Sequence, residues 1–300
     1  MEQRQLGDTD LHVSSIGMGC VTFGREIDRE LSFDVLDRAI ERGITLFDTA
    51  EAYAKGASET VLGEWIADRR VRDDIVLATK VSGVLTEDRV VTSAEESLRR
   101  LQTDVIDLFQ LHSWDDATPV DETMSALNSL VDSGKVRHIG CSNWAAGQLA
   151  KSLMLSQESD FAPMRSVQPP YNLVEREIEQ DLLPLCADQK IGVISYSPLA
   201  AGFLTGKYGR GQQVPKGARF DVIPEHQPLY FTNQGYAALD RLEKAAEQTG
   251  NSMVQLALAW VLHQPNITSM LIGARNTEQV DQAFEADQLD LSESQQEILS

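Results

Sequence analysis

Residues 44–80 read ITLFDTAEAYAKGASETVLGEWIADRRVRDDIVLATK, and the architecture of the whole chain follows from this one segment. An apolar run rich in β-branched residues, Ile44–Phe47, has the composition of a strand. Ser58, with a carboxylate close behind, opens a predicted helix over Glu59–Arg69. A second strand-like run, Ile75–Thr79, completes the unit. Strand, helix and strand within about 30 residues is one βα repeat, the crossover that two parallel strands need.

The same unit recurs on both sides. Further strand-like runs lie at Ser15–Met18, Val105–Leu111, Val136–Ile139, Ser166–Gln168, Gly192–Ser195 and Met270–Ile272, making eight in all, and seven of the eight precede a plausible helix. Leu31–Glu41 carries Phe33, Leu36 and Ile40 at helical spacing and ends before Gly43. Thr92–Leu101 sets Ala94, Leu98 and Leu101 on one face, and Met124–Val131 stops at Gly134. Eight alternating units predict the α/β class and a closed (β/α)₈ TIM barrel. Residues 4–13 predict a small hairpin around Gly7–Asp8 ahead of the barrel. The interval after the seventh strand is far longer than the others. It holds a Gly/Pro-rich stretch, Gly202 to Pro228, and then helices at Gln234–Gln248 and Ser252–Leu262. A long loop in a compact domain is usually functional. No segment has linker character, so one domain over residues 1–300 is expected.

Charge narrows the partners. With 26 basic and 46 acidic residues the chain carries −20, a field that repels nucleic acid. No run approaches the roughly 18 apolar residues of a membrane helix, and the opening MEQRQLGDTD lacks the apolar core of a secretory signal, so no membrane association and a cytoplasmic location are expected. Cys20, Cys141 and Cys186 are far apart and suggest neither a disulfide framework nor a zinc site.

Catalytic groups of such barrels sit where strands end, on one face. The second predicted strand ends at Asp48, with Tyr53 shortly after; the third ends at Lys80 and the fourth at His112. The fifth ends at Ser142-Asn143, the sixth at Gln168 and the seventh at Tyr196-Ser197. Taken singly, each has an ordinary reading: a solvated lysine, a turn aspartate, a packed tyrosine, a structural histidine. Together they suit carbonyl reduction, which needs a hydride at carbon and a proton at oxygen. A tyrosine has the proton, but its ordinary pKa near 10 makes it a weak acid. An adjacent ammonium, Lys80, would favour the phenolate, Asp48 would hold that ammonium, and His112 would orient the carbonyl.

These residues stand in segments that resemble the aldo-keto reductases, with the flavour of bacterial members related to potassium-channel β-subunits: FDTAEAYAKGASETVLGEW (47–65), ATK (78–80), LFQLH (108–112), GCSNW (140–144), SVQPPYN (166–172), SYSPLAAGFLTGKY (195–208) and LIGAR (271–275). The resemblance runs from about residue 4 to residue 285. It implies an NADPH-dependent oxidoreductase reducing aldehydes and ketones, with Tyr53 as general acid, Asp48 and Lys80 tuning it and His112 orienting substrate. The channel subunits usually have Asn in place of that histidine.

The resemblance also implies a cofactor set. Gly19, Cys20, Val21 and Asp48 lie beside the cofactor, Ser142, Asn143 and Gln168 hold the carboxamide, and Tyr196 stacks on the nicotinamide. Ser197, Leu199, Gly202, Lys207 and Arg219 match positions that wrap the pyrophosphate, and Pro198 and Leu204 belong to the same cofactor-binding stretch. Gly273, Arg275, Gln279 and Gln282 approach the adenosine end, where an arginine fork favours the 2′-phosphate of NADPH over NADH. Relatives often contact adenine through Glu and Asn at positions matching Gln282 and Ala283; this chain departs there. Phe23, Val81, Trp114 and Trp144, with Tyr53 and His112, are candidate substrate-pocket walls, and no long C-terminal substrate loop is evident.

Gly17, Gly19 and Gly24 do not make the GxGxxG fingerprint of the doubly wound fold. Two other function classes compete. A nicotinamide-binding sensor would bind NADPH without turnover, and the intact set with His112 argues against it. A metal-dependent hydrolase would need clustered ligands, whereas Lys80 takes a neighbouring strand end and the chain has five histidines in all. The partner expected is a small carbonyl compound, with the chain acting as a monomer or loose homo-oligomer and no resident metal.

Overall fold

The computed structural model describes residues 1–299. Eight parallel strands close into a barrel in the order β10-β3-β4-β5-β6-β7-β8-β9. They are β3 (Ile16–Gly19), β4 (Leu46–Asp48), β5 (Val76–Val81), β6 (Ile106–Leu111), β7 (Val136–Ser142), β8 (Met164–Gln168), β9 (Gly192–Ser195) and β10 (Ser269–Gly273). Every predicted strand is present. The largest boundary difference is at β7, which runs on through Gly140 to Ser142. Pairing on both sides (Gln110 with Gly140, Ser142 with Gln168) supplies hydrogen bonds that outweigh the glycine's weak strand preference.

Helices separate the strands: α1 (Arg29–Glu41), α2 (Ala57–Arg69), α3 (Glu87–Leu101), α4 (Val120–Asp132), α5 (Ala146–Ser159) and α6 (Leu182–Gln189). After β9 the long interval is not one irregular loop. It folds into short helical turns, among them α7 (Arg219–Val222) and α8 (Gln227–Tyr230), before α9 (Asn233–Thr249) and α10 (Met253–Leu262). The turns have a core of their own: Phe220 lies 4.9 Å from Tyr208 and 5.1 Å from Phe231, and Phe203 5.3 Å from Phe231, ring centre to ring centre. Ring pairs at such distances add to the area they bury, so the segment is ordered by local aromatic packing. α11 (Thr277–Asp287) follows β10, and a further helix, α12 (Glu293–Leu299), packs on α9. Ser58 does not cap α2 as expected. Gly56 holds that position with φ 87°, and the Ser58 hydroxyl is buried, donating to the Cys20 carbonyl at 2.7 Å.

Alternation along the strands creates two cores. Leu46, Ala78, Leu108, Ile194 and Leu271 form one cluster inside the barrel. The residues that follow them or precede them, including Phe47, Leu77, Phe109, Val193 and Ile272, join the larger core beneath the helices. The inner cluster is completed from outside the barrel. Strands β1 (Gln3–Gln5) and β2 (His12–Ser14) pair antiparallel as the predicted hairpin, and Leu6, Leu11 and Val13 close the barrel's floor. Gly7 makes that closure possible: with φ +57°, it sits where a Cβ would come within 2.7 Å of Gly192 N and of the Lys190 carbonyl oxygen. Among the described residues no helix is long and apolar enough to cross a membrane.

Candidate active site

The period that sends Leu46, Ala78 and Leu108 inward also sends inward the residues two positions on: Asp48, Lys80 and Gln110. These polar side chains form the top layer of the barrel interior, and Asp48, Lys80 and Gln110 are each almost wholly buried. Lys80 Nζ makes a close ion pair with Asp48 Oδ1 and donates to the Thr49 carbonyl at 2.9 Å. The other carboxylate oxygen of Asp48 accepts from Gln110 Nε2 at 3.0 Å and from Gln168 Nε2 at 2.9 Å. A buried charge is tolerated only when paired and hydrogen-bonded; both charges here are.

Tyr53 arrives from the loop after β4. Ala54 and Lys55 both take left-handed conformations (φ 50° and 55°), and Gly56 continues at 87°. Non-glycine residues pay about 1–2 kcal/mol each for this conformation. The sharp turn brings the phenol oxygen to 3.3 Å from Lys80 Nζ, with the ammonium 5.0 Å from the ring centre. His112 stands edge-on to the phenol at 5.7 Å, and its Nδ1 lies 2.9 Å from Ser82 Oγ. The four residues singled out in the sequence are thus brought together at one end of the barrel.

Burial, then the Lys80 charge, act on the phenol in opposite senses. Burial raises the pKa of Tyr53, Lys80 lowers it, Asp48 raises it again, and the result is upward. The sequence expectation of a lowered value is therefore corrected: burial, joined by the Asp48 charge, outweighs the ammonium's field. Tyr53 carries its proton at neutral pH, as a proton donor must. Burial pulls Lys80 down, but the Asp48 charge, Tyr53 and the hydrogen bonds to both together outweigh it, so it stays an ammonium. Burial, helped by Lys80, depresses His112 to about 4, so the ring is neutral at physiological pH.

The His112 shift makes a stability prediction. Between pH 6.5 and about 4 the unfolded chain binds a proton here that the folded chain refuses. The stabilisation is therefore complete above 6.5 and is lost as pH falls to about 4, a change of about 3 kcal/mol. Urea unfolding should show this component of the slope disappearing in His112→Gln; parallel pH profiles for the two proteins would contradict a depressed His112.

Around this centre lies a continuous polar web. Tyr196 donates to Asn143 Oδ1 at 2.7 Å, and Asn143 Nδ2 donates to the His112 carbonyl at 2.9 Å. Ser142 Oγ donates to the Gln168 carbonyl at 2.8 Å. Asn143 and Ser197 are both left-handed (φ 58° and 55°), as are Ala200 and Ala201 beyond them. Cys20 N–H donates to the Asp48 carbonyl at 2.8 Å, while the Cys20 side chain is buried; Gly19 and Val21 are half-buried beside it.

Further out, Leu199 and Gly202 are half-buried, Lys207 is exposed, and Pro198 and Leu204 are buried beneath the surface. Arg219 lies 3.2 Å from Glu26, and Arg275 lies 4.0 Å from the same carboxylate. Gln279 accepts from the Arg275 N–H at 2.8 Å at the entrance of α11, with Gly273 and Gln282 exposed nearby in the chain. Ala283 is buried in the packing of α11, so this position faces inward. Of the expected pocket walls, Phe23 and Val81 are fully buried in the helix-side core, and Trp144 is buried edge-on to the half-buried Trp114 at 4.8 Å. The apolar faces of Phe23 and Val81 are spent on core packing, and their side chains do not line an open surface.

Sequence reasoning missed Gln110, Ser82, Glu51 and Glu26. Gln110 carried a readable signal, an amide on the inward parity of an otherwise apolar strand. The other three act through loop conformations that no periodicity encodes.

The sequence profile described as the aldo/keto reductase family matches residues 15–300. Aldo-keto reductase YhdN of Bacillus subtilis is 36% identical over 295 residues, covering 94% of this chain and 87% of its own. A "Probable voltage-gated potassium channel subunit beta" of Arabidopsis thaliana is 32% identical over 300 residues, covering 95% and 91%. Protein tas of Escherichia coli is 31% identical over 330 residues, covering 98% and 95%. With the closed barrel, its hairpin floor and a profile match across nearly the whole length, the chain belongs to the aldo/keto reductase family of oxidoreductases.

Proposed function

We propose that this protein is an NADPH-dependent reductase of aldehydes and ketones, built as a single domain over residues 1–300, with Tyr53 as the general acid. The observation that carries this reading is the phenol oxygen 3.3 Å from the Asp48-anchored ammonium of Lys80, at the C-terminal end of the barrel strands. The neutral phenol gives its proton to the carbonyl oxygen. Lys80 stabilises the phenolate left behind, and Asp48 keeps Lys80 charged and in place. His112, neutral and edge-on to Tyr53, hydrogen-bonds the same oxygen and aligns it.

When bound, the dinucleotide supplies the hydride. The residues fit it: an otherwise acidic protein brings Arg219 and Arg275 to one place, beside the N-terminus of α11, where backbone N–H groups and the helix dipole favour anions. Ser142, Asn143, Gln168 and Tyr196 would hold the nicotinamide end, and Arg275, Gln279 and Gln282 the adenosine end.

The test follows NADPH absorbance with a panel of aromatic and aliphatic aldehydes, with NADH in parallel. Turnover with NADPH and little with NADH is expected. Arg275→Ala should raise the KM for NADPH about tenfold, the worth of one charge-assisted contact, and leave that for NADH nearly unchanged. Equal effects would remove Arg275 from 2′-phosphate recognition. NADPH binding without turnover would favour a sensor.

A further inference from the structure

The loop after β5 contains a hydroxyl that the proposed chemistry has not used. Ser82 Oγ is 2.9 Å from His112 Nδ1. Among the described residues this is the only hydrogen bond the hydroxyl makes, and Nε2 of the ring makes none. The Ser82 backbone is braced at both ends. Its N–H donates to Glu51 Oε1 at 2.8 Å, and its carbonyl accepts from Arg89 Nη2 at 3.2 Å. Arg89 closes the brace with an ion pair to Glu51, whose other oxygen accepts from Ser93 Oγ at 2.7 Å. His112 is tied to the same loop, its N–H donating to the Val81 carbonyl at 2.9 Å. An ion pair, a serine and two strand ends thus hold one hydroxyl against one ring nitrogen.

We propose that Ser82 is a positioning residue that donates its hydroxyl hydrogen to His112 Nδ1 and thereby keeps the imidazole proton on Nε2, making His112 a hydrogen-bond donor to the substrate oxygen. A neutral imidazole has one N–H, and the bond made by one nitrogen sets the state of the other. His112 is neutral over the working range, so its proton location, not its charge, is what the protein must fix. With Nε2 bare the ring would present a lone pair to the carbonyl oxygen and repel it. The Glu51–Arg89 pair keeps the hydroxyl within reach of Nδ1, which a free loop serine would leave as often as it met. The inference rests on the proposed role of His112, but its first readout does not.

Nitrogen-15 NMR of the ligand-free, histidine-labelled protein reads the tautomer directly, with the His112 signals assigned by their loss in His112→Asn. The parent should show His112 protonated at Nε2. In Ser82→Ala the signals should move toward a tautomer mixture, and kcat/KM for an aldehyde should fall about tenfold while the Kd for NADPH is unchanged. Ser82→Thr, which restores a hydroxyl, should recover both. A parent protonated at Nδ1, or an unaltered tautomer in Ser82→Ala, overturns the inference. Absence of aldehyde turnover in every variant, with the tautomer still responding to Ser82, would strike at the proposed reaction and leave the positioning role standing.

Discussion

Tyr53→Phe should lose about 10²- to 10⁴-fold in kcat, the range a positioned proton donor contributes, while binding NADPH as the parent does. The ring is retained, and with it the contacts to Lys80 and His112. Only the hydroxyl that lies 3.3 Å from the ammonium is removed. Because the phenol is shifted upward by burial, the parent's reduction rate should be level through neutral pH and decline only under alkaline conditions. Steady-state NADPH consumption and a fluorescence titration of the cofactor separate the two effects. A variant with near-parental kcat would show that the proton comes from elsewhere.

Asp48→Asn should lower the unfolding free energy by about 3–5 kcal/mol, the usual result of breaking a buried pair from one side. Lys80 is fully buried, and among the described residues its only ion-pair partner is Asp48. The substitution has a second cost. Asp48 Oδ2 accepts from two amides, Gln110 and Gln168. An asparagine amide in that place opposes donor to donor until both glutamines turn over. The sign with pH is diagnostic. Without Asp48, burial, the largest influence on Lys80, is opposed only by Tyr53 and draws its pKa down from the raised value, so the deficit relative to the parent should shrink as pH rises and the ammonium is shed. Urea unfolding across the alkaline range checks this; a deficit independent of pH would assign the loss to packing.

How much of this was legible in the sequence differs from residue to residue. The barrel strands were readable because each is a short apolar run between polar breaks, and Gly192–Ser195 matched to the residue. Asp48, Lys80 and His112 were readable because strand ends locate the chemistry of such barrels. The net direction of Tyr53's shift was not, since it depends on how far Asp48 cancels Lys80 and how much water reaches the ring. Ser58 failed as a cap because tertiary contact to Cys20 took its hydroxyl. The segment after β9 was read from its glycines and prolines, which hid the aromatic residues that pack it. Glu26 and Ser82 became visible only when distant loops met.

The hairpin floor bears on how the chain acquires its structure. Leu6, Leu11 and Val13 precede every barrel strand in the chain, yet part of their support comes from its last two strands, through Ile194 and Leu271. Asp8 N–H donates to the Lys190 carbonyl, Arg4 to the Ile267 carbonyl, and Met270 N–H to the Ser15 carbonyl. Long-range pairing of this kind delays folding because loop closure must come first. A nascent chain therefore carries three apolar side chains without their final shelter until nearly the whole barrel has been made. The last strand both seals the ring and gives the first residues their seat, so ring closure and plugging form one late, cooperative event.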